Sequence, residues 1–412
     1  MILGVPTETP PEENRVALIP PVAAELVDDG HEVYVASGAG EPSNWSDAAY
    51  EDAGCTVTSD REAVFEAAEV LLQVGALGAT SGSGMDPYSE GQVVIGMLGP
   101  YEVSEEQLAE LAARDVSAFA LELIPRISRA QSMDALSSQA SLGGYKACLL
   151  AAEELPKMFP MEMTAAATVR PAEVFVIGAG VAGLKAIATA ERLGASTRGH
   201  DVRLEVKREV ESLGADFVEL DLETEGSGDE EGYAVEMGEE FYAEQRRQMR
   251  RVVPESDVLI TTAAIPGRPA PEIVTAGMIE EMDPGSVIVD LAAATGGNCE
   301  PTVADETVQY AGVTIHGPTN LPSRVAHTAS QQFANNVASF LDTMFEDGAL
   351  DVDVDDEIID ATLLTHDGTV RNPHIDDAHS GEDDPDAESE GETADPAESG
   401  TGGDPEGETD AA

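Results

Sequence analysis

The stretch Glu173-Val174-Phe175-Val176-Ile177-Gly178-Ala179-Gly180-Val181-Ala182-Gly183 decides how this chain folds. Its first five residues form a short, mostly apolar run of the kind found in a buried strand, and the run passes straight into a glycine loop. Val181–Leu193 then reads as a helix, with Gly194 placed to end it on a left-handed residue. The three glycines have separate tasks. Gly178 permits a tight turn, Gly180 lets a pyrophosphate approach the backbone, and Gly183 allows the helix to pack close to the strand. Phosphate charge would rest at the helix N-terminus, where unpaired N–H groups and the helix dipole favour an anion.

Working outward, Asp201 lies eighteen residues beyond Gly183, where the next strand, the unusually polar Ser196–His200, should end. A carboxylate at that place accepts hydrogen bonds from the adenosine ribose and repels a 2′-phosphate, so the expected ligand is NAD(H) and not NADP(H). Arg203 lies beside it. Two further buried runs, Asp257–Thr262 and Ser286–Leu291, end in the loops Thr261–Gly267 and Asp290–Asn298. In an open α/β sheet such loops gather at the carboxyl edge, where ligands bind. Gly296 and Gly297 would permit close backbone approach there.

The first 125 residues repeat the pattern. Runs Ile2–Val5, Glu32–Ala36, Val70–Val74, Val93–Gly96 and Ser117–Ala120 alternate with helical stretches such as Pro21–Asp29 and Glu105–Arg114. A helix is expected over Tyr145–Leu155 and another over Ala326–Phe345, the second carrying the chain back to the first unit. The expected fold class is therefore α/β: two Rossmann-like doubly wound domains with a cleft between them. The first takes residues 1–137 with 326–375, the second 138–325, and residues 376–412 form a disordered acidic tail. After Ile375 no large apolar residue occurs, so the tail cannot offset its ordering entropy.

Composition bounds the partners. The formal net charge is −59, of which residues 379–412 supply only −13. Four lysines stand against seventeen arginines. An acidic, lysine-poor surface suits a cytoplasm at very high salt, where repulsion is screened, and a halophilic host is expected. The same charge excludes nucleic acid as a partner. Cys55, Cys148 and Cys299 are scattered, which reads as buried thiols, with no disulfide framework and no metal site. With no bilayer-length apolar run and no basic leader at Met1–Pro6, no membrane insertion is expected and the location reads as cytoplasmic.

Between the two units lies Pro125-Arg126-Ile127-Ser128-Arg129-Ala130-Gln131-Ser132-Met133-Asp134-Ala135-Leu136-Ser137-Ser138-Gln139, dense in donors and acceptors. By composition it reads as a polar linker with capping serines. It is, however, very similar to the signature of the soluble NAD(H)-binding component of proton-translocating NAD(P) transhydrogenase. So are the glycine-loop helix through Ala195, Gly296-Gly297-Asn298-Cys299-Glu300-Pro301, and Thr319–Ala326, and the likeness runs from Gly4 to about Pro373. With the acidic composition it suggests a haloarchaeal type of that component. The resemblance implies direct hydride transfer between NAD(H) here and NADP(H) on a partner subunit. It also implies coupling to proton movement through a membrane-spanning subunit, attachment to the inner face of the membrane through those partners, and a homodimer. Carried over residue by residue, Arg126, Gln131, Asp134 and Ser137 surround the nicotinamide and Arg129 is a nearby nucleotide contact. Asp201 and Arg203 fall at the adenosine end, and Gly232, Gln245 and Ala264 on further contacts. Tyr233 matches the tyrosine of a mobile loop that closes over nucleotide.

Hydride transfer between two nicotinamides moves no heteroatom proton, so it needs close, correctly faced rings and a dry site, without an acid or base. Alanine dehydrogenase is the rival reading, since it shares this architecture and Glu13–Leu18. Arg15, its carboxylate binder, is present, but its lysine, histidine and aspartate positions read Gln73, Leu98 and Ala294. His316 and His327 lie near the expected cleft, while His31, His200, His366, His374 and His379 read as surface or strand-end residues. A third reading is an NAD(H)-sensing subunit without turnover.

Overall fold

The protein is described from a computed structural model, which covers residues 1–79, 87–222, 238–346 and 349–371. Short buried strands and amphipathic helices assemble two sheets. In the first, Ile2–Val5 (β1), Glu32–Ala36 (β2), Thr56–Thr58 (β3), Val70–Gly75 (β4), Val93–Met97 (β5) and Ser117–Ala120 (β6) run parallel in the order β3-β2-β1-β4-β5-β6. The second comprises Glu173–Ile177 (β7), Ser196–His200 (β8), Asp216–Phe217 (β9), Val258–Thr261 (β10), Val287–Asp290 (β11), Thr307–Tyr310 (β12) and Val313–His316 (β13). Its order is β9-β8-β7-β10-β11-β13-β12, with only β12 antiparallel. Leu363–His366 (β14) and Thr369–Val370 (β15) return to extend the first sheet, antiparallel, beside β6.

Both faces of each sheet's central strands are covered, which is why those strands are mostly apolar. In β7, Val174 and Val176 pack on one face with Ala186 and Ile187. Phe175 and Ile177 pack on the other with Leu259, Met278 and Ile288. The polar strand β8 is accommodated by local partners: Ser196 Oγ donates to Glu173 at 2.8 Å, and Thr197 bonds Glu191. Gly199 leaves room for Ile187 and Val210, which a Cβ would meet at 2.9 and 3.0 Å.

The Val181–Leu193 helix has the bounds its periodicity indicates, and Gly194 ends it at φ +87°. The preceding helix is longer than expected. It starts at Ala135, ten residues before Tyr145, and runs to Glu154. Asp134 caps it through Oδ1, which accepts the Ser137 N–H at 2.8 Å. Residues 135–139 are thus helical and not linker, because their polar side chains find distant partners. Ser138 Oγ donates to Asn336 at 2.7 Å, and Gln139 pairs with Arg15 and the Ala329 carbonyl. The helix expected over Ala326–Phe345 stops at Leu341. β3, β12 and the Glu357–Thr362 helix have weak local patterns and were not legible. The three cysteines are buried and unpaired.

Loops from the carboxyl edges of the two sheets touch. The loop after β10 reaches the loop after β5, where a Cβ on Gly267 would lie 2.6 Å from the Tyr101 ring. Behind them, Ser323 Oγ accepts the Asn14 N–H at 2.6 Å and donates to the Glu12 carbonyl at 2.7 Å. Asn320 Nδ2 donates to Glu13 at 3.0 Å.

Candidate functional site

The glycine loop leaves β7 at the point where strand order reverses, between β8 and β10. Each glycine there has a different geometric reason. Gly178 has φ +93°, and a Cβ on it would meet Thr262 Oγ1 at 2.4 Å. A Cβ on Gly183 would fall 1.7 Å from the Gly178 carbonyl oxygen. At Gly180 a Cβ would meet nothing of the protein within 4 Å. The first and third glycines serve packing, and the second opens backbone toward space at the start of a helix. That is the form of a phosphate cradle, and it fits a dinucleotide.

The long helix crosses the loop closely. A Cβ on Gly144 would lie 2.0 Å from the Ala182 carbonyl oxygen. Ser137 is seven residues before that crossing, about 10 Å along the axis at 1.5 Å per residue. One helix therefore carries the polar segment before it and the glycine-loop helix beside it on a common frame.

At the far end of β8, Asp201 is buried and bound to the loop. Its Oδ2 accepts the Ala179 N–H at 2.7 Å, and Oδ1 accepts the Arg203 backbone N–H at 2.9 Å. Arg203 also donates from Nε and Nη2, at 2.9 and 2.8 Å. Burial alone would raise the carboxyl's pKa, but the Arg203 hydrogen bonds and charge, with the Ala179 amide, outweigh it and hold the group below its usual range. Next to Asp201, His200 ends β8 as expected, buried there and not at the surface. Its Nδ1 bonds the Val218 carbonyl at 2.8 Å, and burial lowers its pKa. Gln245, also buried, contacts His200 Nε2 at 3.4 Å, while its Oε1 is enclosed without a partner among the described residues. A nucleotide N–H or O–H would satisfy that orphaned oxygen.

The loops after β10 and β11 form the opposite rim. Thr262 Oγ1 donates to the Gly178 carbonyl at 3.0 Å. Asn298, fully buried, accepts the Ala263 N–H at 2.9 Å and donates to the Ala263 and Pro271 carbonyls at 2.8 and 2.9 Å. Asp290 receives the N–H groups of Ala292, Asn298 and Cys299 at 3.1, 2.7 and 3.0 Å, and the Thr302 hydroxyl at 2.8 Å. Ala264 follows this clamp and is exposed. The roles of Asp290 and Asn298 were not read from sequence. The signal available was an acid ending a buried strand, followed by two glycines and an asparagine.

In the segment before the long helix, Arg126 and Gln131 are exposed, while Arg129 forks onto Asp356 at 2.8 and 3.1 Å. Asp134 and Ser137 are joined by the cap. Gly232 and Tyr233 lie outside the described residues. His316 Nδ1 bonds Thr307 at 3.0 Å, and His327 stacks on Trp45 and bonds the Ser43 carbonyl at 2.9 Å. Cavities of about 400 and 530 Å³ lie elsewhere and share no residue with the rims.

The first sheet's edge bears on the amino-acid dehydrogenase reading. Arg15 closes its fork on Glu13, at 2.8 and 2.6 Å, and gives its remaining nitrogen to Gln139 at 3.0 Å. Gln73 Oε1 accepts from the Tyr88 hydroxyl at 2.8 Å, Leu98 is fully buried, and Ala294 is exposed. Glu8 and Glu122 cap strand ends nearby. Glu8 accepts the Val74 and Gly75 amides at 2.6 and 3.4 Å, and Glu122 those of Leu98 and Gly99 at 3.1 and 2.7 Å.

Family models match most of this chain: the N-terminal domain of alanine dehydrogenase/PNT over residues 4–143 and its C-terminal domain over 147–373. The chain belongs to the alanine dehydrogenase/PNT family. It is 44% identical over 381 residues to the first part of the NAD(P) transhydrogenase subunit alpha of Rhodospirillum rubrum, covering 91% of this chain and 99% of that one. An alanine dehydrogenase of Halomonas elongata is 31% identical over 376 residues, covering 89% and 94%. The crystal structure of a transhydrogenase from Sinorhizobium meliloti superposes with a TM-score of 0.80 at 42% identity, covering 90% of this chain and all of that one. The two Rossmann-like units expected from sequence are the fold of this family. Among the described residues no helix is long and apolar enough to cross a membrane.

Burial pushes both Glu8 and Glu122 up to about 7. A carboxyl raised in the fold keeps its proton where the unfolded chain has lost it. Between about pH 4.5 and 7 the native state then binds more protons than the unfolded one, and stability contributed by these groups falls as pH rises. Replacing Glu122 by Gln should flatten the decline in melting temperature across that window. A slope unchanged from wild type would show that Glu122 ionises normally.

Proposed function

We propose that this chain is the NAD(H)-binding catalytic subunit of a proton-translocating NAD(P) transhydrogenase. It exchanges hydride with NADP(H) held by a partner subunit, and a separate membrane-spanning subunit carries the protons. Bound NAD(H) supplies the hydride donor or acceptor. The observation that supports the reading is the backbone opened toward space at Gly180 at the start of a helix, while positions 73, 98 and 294 offer no group for moving a substrate proton. Arg15 points the same way, since its guanidinium is closed on Glu13, and a substrate carboxylate would have to displace that partner.

In this reading the residues bind and orient. Gly180, Val181 and Ala182 present backbone to the pyrophosphate at the helix start, in the turn and close packing that Gly178 and Gly183 permit. Asp201, Arg203 and Gln245 take the adenosine half, with Gly232 and Tyr233 contributing from beyond the described residues. Ala264, on the clamped rim, and Arg129 contact the rest of the nucleotide. Arg126, Gln131, Asp134 and Ser137 face the nicotinamide and fix its ring and ribose. Asp134 is well suited: one oxygen caps the helix, and the other takes no partner among the described residues. The functional units are residues 1–137 with 326–375 and residues 138–325. The chain works as a homodimer on the inner membrane face, attached through its partners.

Reconstitution tests this directly. In molar salt, with a purified NADP(H)-binding partner, NADPH should reduce an NAD analogue. No reduction, with NADH still bound, would leave a sensing subunit instead. In the same assay Gln131→Asn should slow transfer about tenfold while NADH affinity stays within about twofold, because it shifts position more than binding. Equal losses in both would assign Gln131 to binding alone.

A further inference from the structure

Arg203 presents a fork where the nucleotide reading, on which this inference rests, puts the adenosine ribose. Nε donates to Asp201 Oδ1 at 2.9 Å and Nη2 to Oδ2 at 2.8 Å. Two parallel N–H groups on one oxyanion are also the way a guanidinium grips phosphate. The pair is well shielded, its side chains 12% and 5% exposed. It is anchored to the glycine loop as well, since the same carboxylate accepts the Ala179 N–H at 2.7 Å. Nucleotide sites of this type place a carboxylate at this spot for a free ribose, or an arginine for a 2′-phosphorylated one. This chain has both, and each occupies the other.

We propose that Arg203 is a latent 2′-phosphate clamp, and that Asp201 selects NAD(H) largely by keeping that clamp engaged. Repulsion of a phosphate by the carboxylate is the usual account of such selectivity, and it requires nothing of Arg203. The geometry adds a second element. Asp201 is a tethered oxyanion two residues from the guanidinium, held by the Ala179 and Arg203 backbone amides as well as by the side-chain fork. A diffusing 2′-phosphate competes with a partner that never leaves. Glu205 and Glu209 also bear on Arg203, and they tilt its surroundings further against a dianion. Selectivity then resides in an ion pair as much as in a single charge.

The two accounts separate in a double-mutant comparison on the full chain, with NADH and NADPH affinities measured by calorimetry in molar salt. Asp201→Ser removes the repulsion and the carboxylate's hold on the fork together. It should weaken NADH about tenfold and strengthen NADPH by about tenfold or more. Adding Arg203→Ala should abolish the NADPH gain. Asp201→Asn, which keeps an acceptor for the Ala179 amide, should show the same gain if the serine variant fails to fold. The inference is overturned if neither Asp201 variant gains NADPH affinity, or if the gain survives Arg203→Ala. Wild-type protein that binds neither nucleotide would overturn the nucleotide reading and this inference with it. NADH binding without the predicted gain overturns the inference alone.

Discussion

Gly183→Ala is expected to destabilise the second sheet's unit by about 3 kcal/mol and to remove nucleotide binding, whereas Gly180→Ala should fold normally and lose only the nucleotide. The reasons are opposite. A Cβ at Gly183 would sit 1.7 Å from the Gly178 carbonyl oxygen, a distance no rotamer can relieve because both atoms are fixed by the backbone. The helix must move away from β7, and its N-terminal amides leave the place proposed for phosphate. At Gly180 the same methyl meets no protein atom within 4 Å, and φ is −76°, which alanine adopts freely. As an N-cap residue alanine costs only slightly more than glycine. The methyl instead enters the open space proposed for the ligand. NADH affinity should fall about 10- to 100-fold, as expected when charge-assisted bonds to phosphate are lost, with the melting temperature nearly unchanged. Melting curves and NADH titration of the two variants check this. A Gly180→Ala protein that binds NADH as well as wild type would show that the pyrophosphate does not lie over this loop.

That contrast also shows what could be read from the sequence. Strand β7, the glycine loop and the Val181–Leu193 helix are local patterns: an apolar run, glycine spacing and helical periodicity need no partner to be recognised. Strand β8 needed register, since Thr197 and His200 are polar yet buried, satisfied by Glu191 and by the Val218 carbonyl. The start of the long helix was hidden for the same reason. Ser138 and Gln139 look like linker until Asn336, Arg15 and Ala329 are brought from far along the chain. Residues 126–137 became candidates through likeness to a family and not through pattern. The fold adds that Asp134 and Ser137 start a helix, and that Arg129 is drawn to Asp356.

The loops after β10 and β11 were legible as an edge of the sheet but their internal clamp was not, and it is there that the other large effect is expected. Asp290→Ala should destabilise the protein by about 4 kcal/mol. The carboxylate is fully buried and accepts four donors, three of them backbone N–H groups. Each donor left unsatisfied costs about 1–3 kcal/mol, and water entering the vacated space would recover some of the total. The damage should spread along a chain of bonds. Asp290 fixes the Asn298 backbone, the Asn298 side chain clamps Ala263, and neighbouring Thr262 holds the Gly178 carbonyl. Asp290→Asn separates stability from positioning. Its oxygen can still serve the Asn298, Cys299 and Thr302 donors, but its NH₂ group would face the Ala292 N–H, so the cost should be about 1–2 kcal/mol. If the rim positions the nucleotide, this milder variant should still weaken NADH about tenfold at a temperature where it is fully folded. Normal NADH affinity in a folded Asp290→Asn protein would mean the rim supports the sheet and takes no part in holding the ligand.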